Sequence, residues 1–174
     1  GSGMLAGACL WLARQGWQVT VIGRNQRKLE RLCQQHGSLF GVSADYSRVG
    51  DFAAALGDLM RQRGPAALVV AWIHCDQERV IRQTAEAVRL AGGENFAWDL
   101  YHVLGSSSDL DEILRSVQVP AGCSYHQVQL GFVIEGARSR WLTHEEISGG
   151  VIECIRNGHR RHVVGTLEPW EMRP

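Results

Sequence analysis

Two periodicities alternate along the chain. Over residues 4–15, Leu5, Cys9, Leu12 and Ala13 recur at helical spacing, and Gly16 supplies a C-terminal stop. Residues 17–22 then form a short β-rich run, broken by Gly23-Arg24-Asn25. Asn25 is placed to cap a second helix with Leu29, Leu32 and Cys33 on one face, ended near Gly37. A strand over 39–43 leads through Asp45 to a third helix over about 49–63, with Phe52, Leu56, Leu59 and Met60 on its apolar stripe and Gly64-Pro65 after it. Residues 67–73 are the most continuous apolar run and predict a central strand. A fourth helix over about 77–91 keeps Val80, Thr84, Val88 and Ala91 in register.

The pattern continues to the C-terminus. Residues 95–105 contain another strand, and a short helix over 109–117 precedes Pro120. Residues 125–134 alternate, with Val128, Leu130, Phe132 and Ile134 on one side and Gln127 and Gln129 on the other, which predicts a half-exposed strand. Thr143-His144-Glu145-Glu146 is a capping box for a last helix with Ile147, Val151, Cys154 and Ile155 inward. A final strand over 162–164 and a tail over 168–174 complete the chain. With strands and helices alternating throughout, and no repeat, linker or low-complexity segment, residues 1–174 are expected to form a single α/β domain.

Composition narrows the partners. The 18 basic and 18 acidic residues cancel, so charge gives no reason to expect nucleic acid or an anionic membrane. No apolar run approaches the roughly 20 residues that span a bilayer. Cys9, Cys33, Cys75, Cys123 and Cys154 are scattered and show no C-x-x-C, which suggests reduced thiols and a cytoplasmic protein without a metal site.

Chemistry is concentrated at the start. Gly1, Gly3 and Ala6 fit the G-x-G-x-x-G/A fingerprint of a dinucleotide-binding βαβ unit. The first glycine allows a tight turn, the second lets backbone approach a pyrophosphate, and the small third residue lets helix pack on strand. The helix N-terminus then offers free N–H groups and a positive dipole end to the phosphates. The turn Gly1, Gly3, Met4, Leu5 is therefore a candidate cofactor-binding segment. Such a fingerprint follows a hydrophobic strand, so a strand upstream of Gly1 is expected in the natural protein. Without it the sheet would show a gap at its centre. The fold expected is a Rossmann-like doubly wound, mostly parallel sheet in a three-layer αβα arrangement.

Together these residues resemble the short-chain dehydrogenase/reductase superfamily. The resemblance spans nearly the whole chain. It rests on the Gly turn, Arg24 after the second strand, Asp45 after the third, the Ala71-Trp72-Ile73 strand end, Ser106-Ser107, and the closing block T-H-E-E-I through H-V-V-G-T. The segments G-M-L-A-G, V-I-G-R-N, S-R-W-L-T-H-E-E-I and V-G-T-L-E-P-W are similar to a small atypical bacterial subgroup usually described only by its fold. The resemblance implies a nicotinamide cofactor and an oxidoreductase acting on a small molecule of unknown identity. It places Asp45 at the adenine edge and Ala71 and Trp72 along the adenine ribose and toward the nicotinamide. An NAD site generally carries an acid about 20 residues after the Gly turn. Here Arg24 and Asn25 stand there, with Arg27 and Lys28 close behind, and a guanidinium suits a 2′-phosphate. NADP is therefore expected ahead of NAD.

The family's catalytic pattern fails. Its Y-x-x-x-K pair needs a helix face on which the ammonium favours a phenolate. The chain's single lysine, Lys28, lies on the adenosine side. Ser107 is the one catalytic position that carries over, and it also reads as a helix cap before Asp109. Tyr125 is a weaker candidate, at the start of a strand with Gln129 four residues on. A non-catalytic dinucleotide sensor or scaffold is the alternative. His144 lacks the second histidine of H-E-x-x-H, and His159-Arg160-Arg161-His162 reads as a solvated turn. Gly149-Gly150 inside the last helix implies close approach of another backbone, such as a partner's helix. Together with Trp141 and Trp170 it suggests a homo-oligomer, dimer or tetramer.

Overall fold

The computed structural model describes residues 2–174 and forms two compact units, Gly1–Ala44 with Val128–Pro174, and Asp45–Gln127. The order of elements is α1 (Ala6–Arg14), β1 (Val19–Gly23), α2 (Gln26–Cys33), β2 (Leu39–Ser43), α3 (Val49–Arg63), β3 (Leu68–Trp72), α4 (Gln77–Gly92), β4 (Trp98–Leu104), α5 (Leu110–Val117), β5 (Cys123–Leu130), β6 (Phe132–Glu135), β7 (Arg138–Trp141), α6 (His144–Asn157) and β8 (Arg161–Val164). This is the alternating α/β pattern expected. A short 3-10 turn, Trp170–Met172, follows.

The strands form three sheets: β1-β2, β3-β4-β5-β8 and the hairpin β6-β7. β1 runs parallel to β2 with Val19 opposite Leu39, and β3 runs parallel to β4 with Leu68 opposite Asp99. The strand expected before Gly1 lies outside the described residues. β3 pairs with β4 and is half-buried along its length. Its apolar run reflects residue type more than depth.

In the first unit, Val21, Leu29, Leu32, Leu39 and Ala13 form one cluster, with Ala6 and Cys9 packed against it. α1 lies against α6 at Gly7, where a Cβ would come within 2.9 Å of the Ser148 Cβ. Of the two glycines in α6, Gly150 makes a close contact within the chain. A Cβ on Gly150 would meet the Val164 side chain at 2.3 Å, whereas one on Gly149 would meet nothing within 4 Å. The close approach inferred for a partner's helix is thus made at Gly150 by this chain's own β8.

The 125–134 segment departs from expectation in two ways. Gln127 and Gln129 are buried, 2% and 5% exposed, so the strand is enclosed on both faces. The Gln127 side-chain amide donates to the Leu110 carbonyl at 2.8 Å, which satisfies a group that otherwise belongs in water. The strand also ends at Leu130. At Gly131 a Cβ would lie 2.1 Å from the Thr166 carbonyl oxygen, so only glycine fits. Beyond it the backbone pairs with Thr166 and turns into the β6-β7 hairpin, with Gly136 at φ 64° in the turn.

Candidate functional site

In the first unit the candidate site is built on the turn before α1. The Ala6 amide donates to the Gly3 carbonyl, closing the turn that starts the helix. Leu5 is the N-cap residue, supplies no side-chain cap, and no acid occupies the first turn. The helix start therefore has no built-in anion, and a phosphate would find positive dipole and amide hydrogens there. A Cβ on Gly3 would meet nothing within 4 Å, so backbone is open to approach from that side. The Met4 carbonyl accepts a 2.7 Å hydrogen bond from the Ser148 hydroxyl of α6, which pins the turn to the unit's core. Gly1 lies outside the described residues.

The end of β1 comes to this turn. A Cβ on Gly23 would lie 3.8 Å from the Ser2 hydroxyl oxygen. Arg24 follows Gly23, is exposed, and makes no hydrogen bond or ion pair among the described residues. The Asn25 side chain accepts from the Lys28 amide at 3.0 Å and so caps α2. Gly23, the residue before Arg24 and Asn25, thus lies near Ser2 of the turn that leads through Gly3, Met4 and Leu5 into α1.

The second unit carries the other candidates. The Asp45 carboxylate accepts from the Ser47 amide and hydroxyl at 2.9 and 2.7 Å, bracing the loop after β2. It does not cap α3, whose N-cap is Arg48. The Tyr46 hydroxyl accepts from the His74 amide at 3.3 Å, and Arg79 donates to the Tyr46 carbonyl at 3.0 Å. These bonds hold the loop beside the end of β3, where Ala71 and Trp72 sit and the Trp72 ring meets His74 edge-on. Trp72 pairs with Val103 of β4, and Ser107 lies in the exposed turn just beyond β4. The cap of α5 is Asp109, which accepts from the Asp111 and Glu112 amides, so Ser107 is not a helix cap.

Tyr125 sits differently. It is 6% exposed, and its hydroxyl is 2.7 Å from Nδ1 of His102, which is fully buried. Burial pushes the His102 imidazole down to about 4, so the ring is neutral near pH 7. The Tyr125 hydroxyl is therefore engaged by a neutral histidine within the core. On the neighbouring strand positions Tyr101 stacks on His126 at 4.2 Å, and His126 binds Asp99 at 2.9 Å. Tyr101, within β4, is buried and packs there. Among the described residues no three His, Cys, Asp or Glu side chains are grouped to hold a metal, and no helix is long and apolar enough to cross a membrane.

Sequence reasoning missed His102, Ser148 and Tyr46, whose partners lie far along the chain. The hairpin had a readable signal, because a two-residue Gly136-Ala137 turn sits between F-V-I-E and R-S-R-W.

No protein-family model and no curated protein sequence matches the chain. Solved structures do. A citronellol catabolism dehydrogenase of Pseudomonas aeruginosa superposes with a TM-score of 0.67 at 16% identity, covering 95% of this chain and 91% of its own. A Serratia marcescens short-chain dehydrogenase/reductase variant gives 0.64 at 12% identity, over 94% and 93% of the two chains. A metagenomic short-chain oxidoreductase solved in complex with NADP gives 0.66 at 11% identity, over 94% and 93%. The chain carries the short-chain dehydrogenase/reductase fold. At these identities the likeness concerns the fold.

Proposed function

We propose that this protein binds NADP(H), in preference to NAD(H), and acts as an oxidoreductase on a small-molecule substrate. The observation that supports the reading is the approach of Gly23, the residue before the uncompensated Arg24, to Ser2, ahead of a helix start with no side-chain cap. Gly1, Gly3, Met4 and Leu5 would hold the pyrophosphate, and Arg24 with Asn25 the 2′-phosphate of the adenosine. Asp45, Ala71 and Trp72 are assigned to the adenine, ribose and nicotinamide contacts by the family resemblance. A structural neighbour solved with NADP supports a nicotinamide dinucleotide in this fold. When bound, such a cofactor supplies hydride transfer. The chain's own part is to bind and orient it, with the exposed Ser107 hydroxyl the remaining candidate to contact a substrate oxygen. On this reading the protein works in the cytoplasm as a homo-oligomer.

A second reading, a dinucleotide-binding sensor or scaffold without turnover, is favoured by the engagement of Tyr125 with His102 and by the single lysine's place in α2. Titration with NADPH and NADH, followed by fluorescence, tests the shared claim. NADPH should bind at least about tenfold tighter, and Arg24→Glu should reverse the order. Failure to bind either dinucleotide would sink both readings. Binding without single-turnover hydride transfer to a carbonyl panel, unchanged in Ser107→Ala, would select the second.

A further inference from the structure

The C-terminal segment makes a contact that dinucleotide binding does not use. The Arg173 guanidinium carbon lies 4.7 Å from the centre of the Trp170 ring and 5.3 Å from that of Trp141 on β7. Both indoles stay open to solvent, at 48% and 47% exposure, although tryptophan is a residue that chains usually bury. Arg173 is itself exposed and has no side-chain hydrogen bond or ion pair among the described residues. Arg140, one residue before Trp141, shows the contrast: Glu135 and Glu146 both pair with it.

An indole face attracts a guanidinium through the ring quadrupole, and the interaction restrains the long side chain. Because Arg173 makes no side-chain hydrogen bond or ion pair among the described residues, its N–H donors face solvent. Those donors form a fork that matches a carboxylate or a phosphate in two parallel hydrogen bonds. Restraint by the indoles lowers the entropy lost when such an anion binds. The exposed parts of Trp141 and Trp170 flank the fork with apolar, planar surface.

We propose that Trp141, Trp170 and Arg173 form a binding site for a small aromatic carboxylate. Its carboxylate takes the Arg173 fork and its ring lies against the indoles. The charge of the site and its aromatic faces both fit that class, while a cation would be repelled and an aliphatic anion would leave the indoles uncovered. The site does not depend on the dinucleotide reading, so it is tested with no dinucleotide present.

The experiment is calorimetric titration of the full chain with 1-naphthoate, 1-naphthylmethylammonium and inorganic phosphate. One 1-naphthoate should bind per chain. Arg173→Gln should weaken it about tenfold or more, as expected for loss of a charge-assisted pair. Arg173→Lys, which keeps charge but loses the fork, should weaken it as well, and Trp170→Leu should weaken 1-naphthoate more than phosphate. Circular dichroism of each variant should match the parent. Absence of saturable binding, undiminished binding by Arg173→Gln, or equal binding of the ammonium probe would overturn the proposal. Phosphate binding as tight as 1-naphthoate would overturn the aromatic part of the assignment.

Discussion

His102 is held in an environment far from water. It is fully buried, its Nδ1 meets the Tyr125 hydroxyl, and its Nε2 has no hydrogen-bond partner among the described residues. Burial lowers its folded value from 6.5 to about 4. Between those values the unfolded chain binds a proton that the folded chain does not, so stability falls as pH drops from about 6.5 toward 4. The full loss is about 3 kcal/mol for a shift of this size. Urea denaturation from pH 7 to pH 4.5 should show this loss in the parent and much less of it in His102→Gln, whatever the starting stability of the variant. Parallel pH curves for the two would refute the assignment. A histidine in a β-run is visible in the sequence, but its burial and its tyrosine partner, 23 residues away, are not. Arg24 is the opposite case. Its position after a strand and before a capped helix was legible, because the strand end, the Asn25 cap and the glycine break are all local signals.

At the scale of elements, α6 shows how one sequence feature divides into two physical roles. Gly149 faces open space and Gly150 lies under Val164. Gly149→Ala should therefore stabilise the protein by about 0.5–1 kcal/mol through helix propensity. Gly150→Ala should destabilise it by about 1–3 kcal/mol through overpacking, since the Val164 side chain must move. Thermal denaturation of the two variants reads both signs, and equal shifts would refute the distinction. The start of α6 was legible outright. Thr143 and Glu146 exchange the two hydrogen bonds of a capping box, and Arg140 with the Thr143 amide draws Glu146 down to about 2. Thr143→Ala should lower the melting temperature by an amount matching about 1 kcal/mol. β5 is the element read least well. Its alternation of valine, leucine and glutamine resembles a half-exposed strand, yet both faces are buried, and Gln127 finds its partner inside. Polarity reports exposure only where buried partners are lacking.

For the molecule as a whole, ligand binding and stability are linked. If NADPH binds the folded chain, a concentration about 100 times its dissociation constant should stabilise it by about 2.7 kcal/mol. NADH at the same concentration should do less, and Arg24→Glu should cancel the NADPH effect, all readable as melting shifts. The sequence by itself determined the order of helices and strands, the helix starts at Asn25 and Thr143, and the glycine turn with a basic residue after the next strand. These follow from hydrophobic period, capping and turn chemistry, which act over a few residues. Tertiary structure alone decided the burial of both faces of β5 and the burial of His102 and Tyr125 as a pair. It alone set Arg173 against two exposed indoles. Each of these depends on which distant segments meet, and sequence separation carries no record of distance in space.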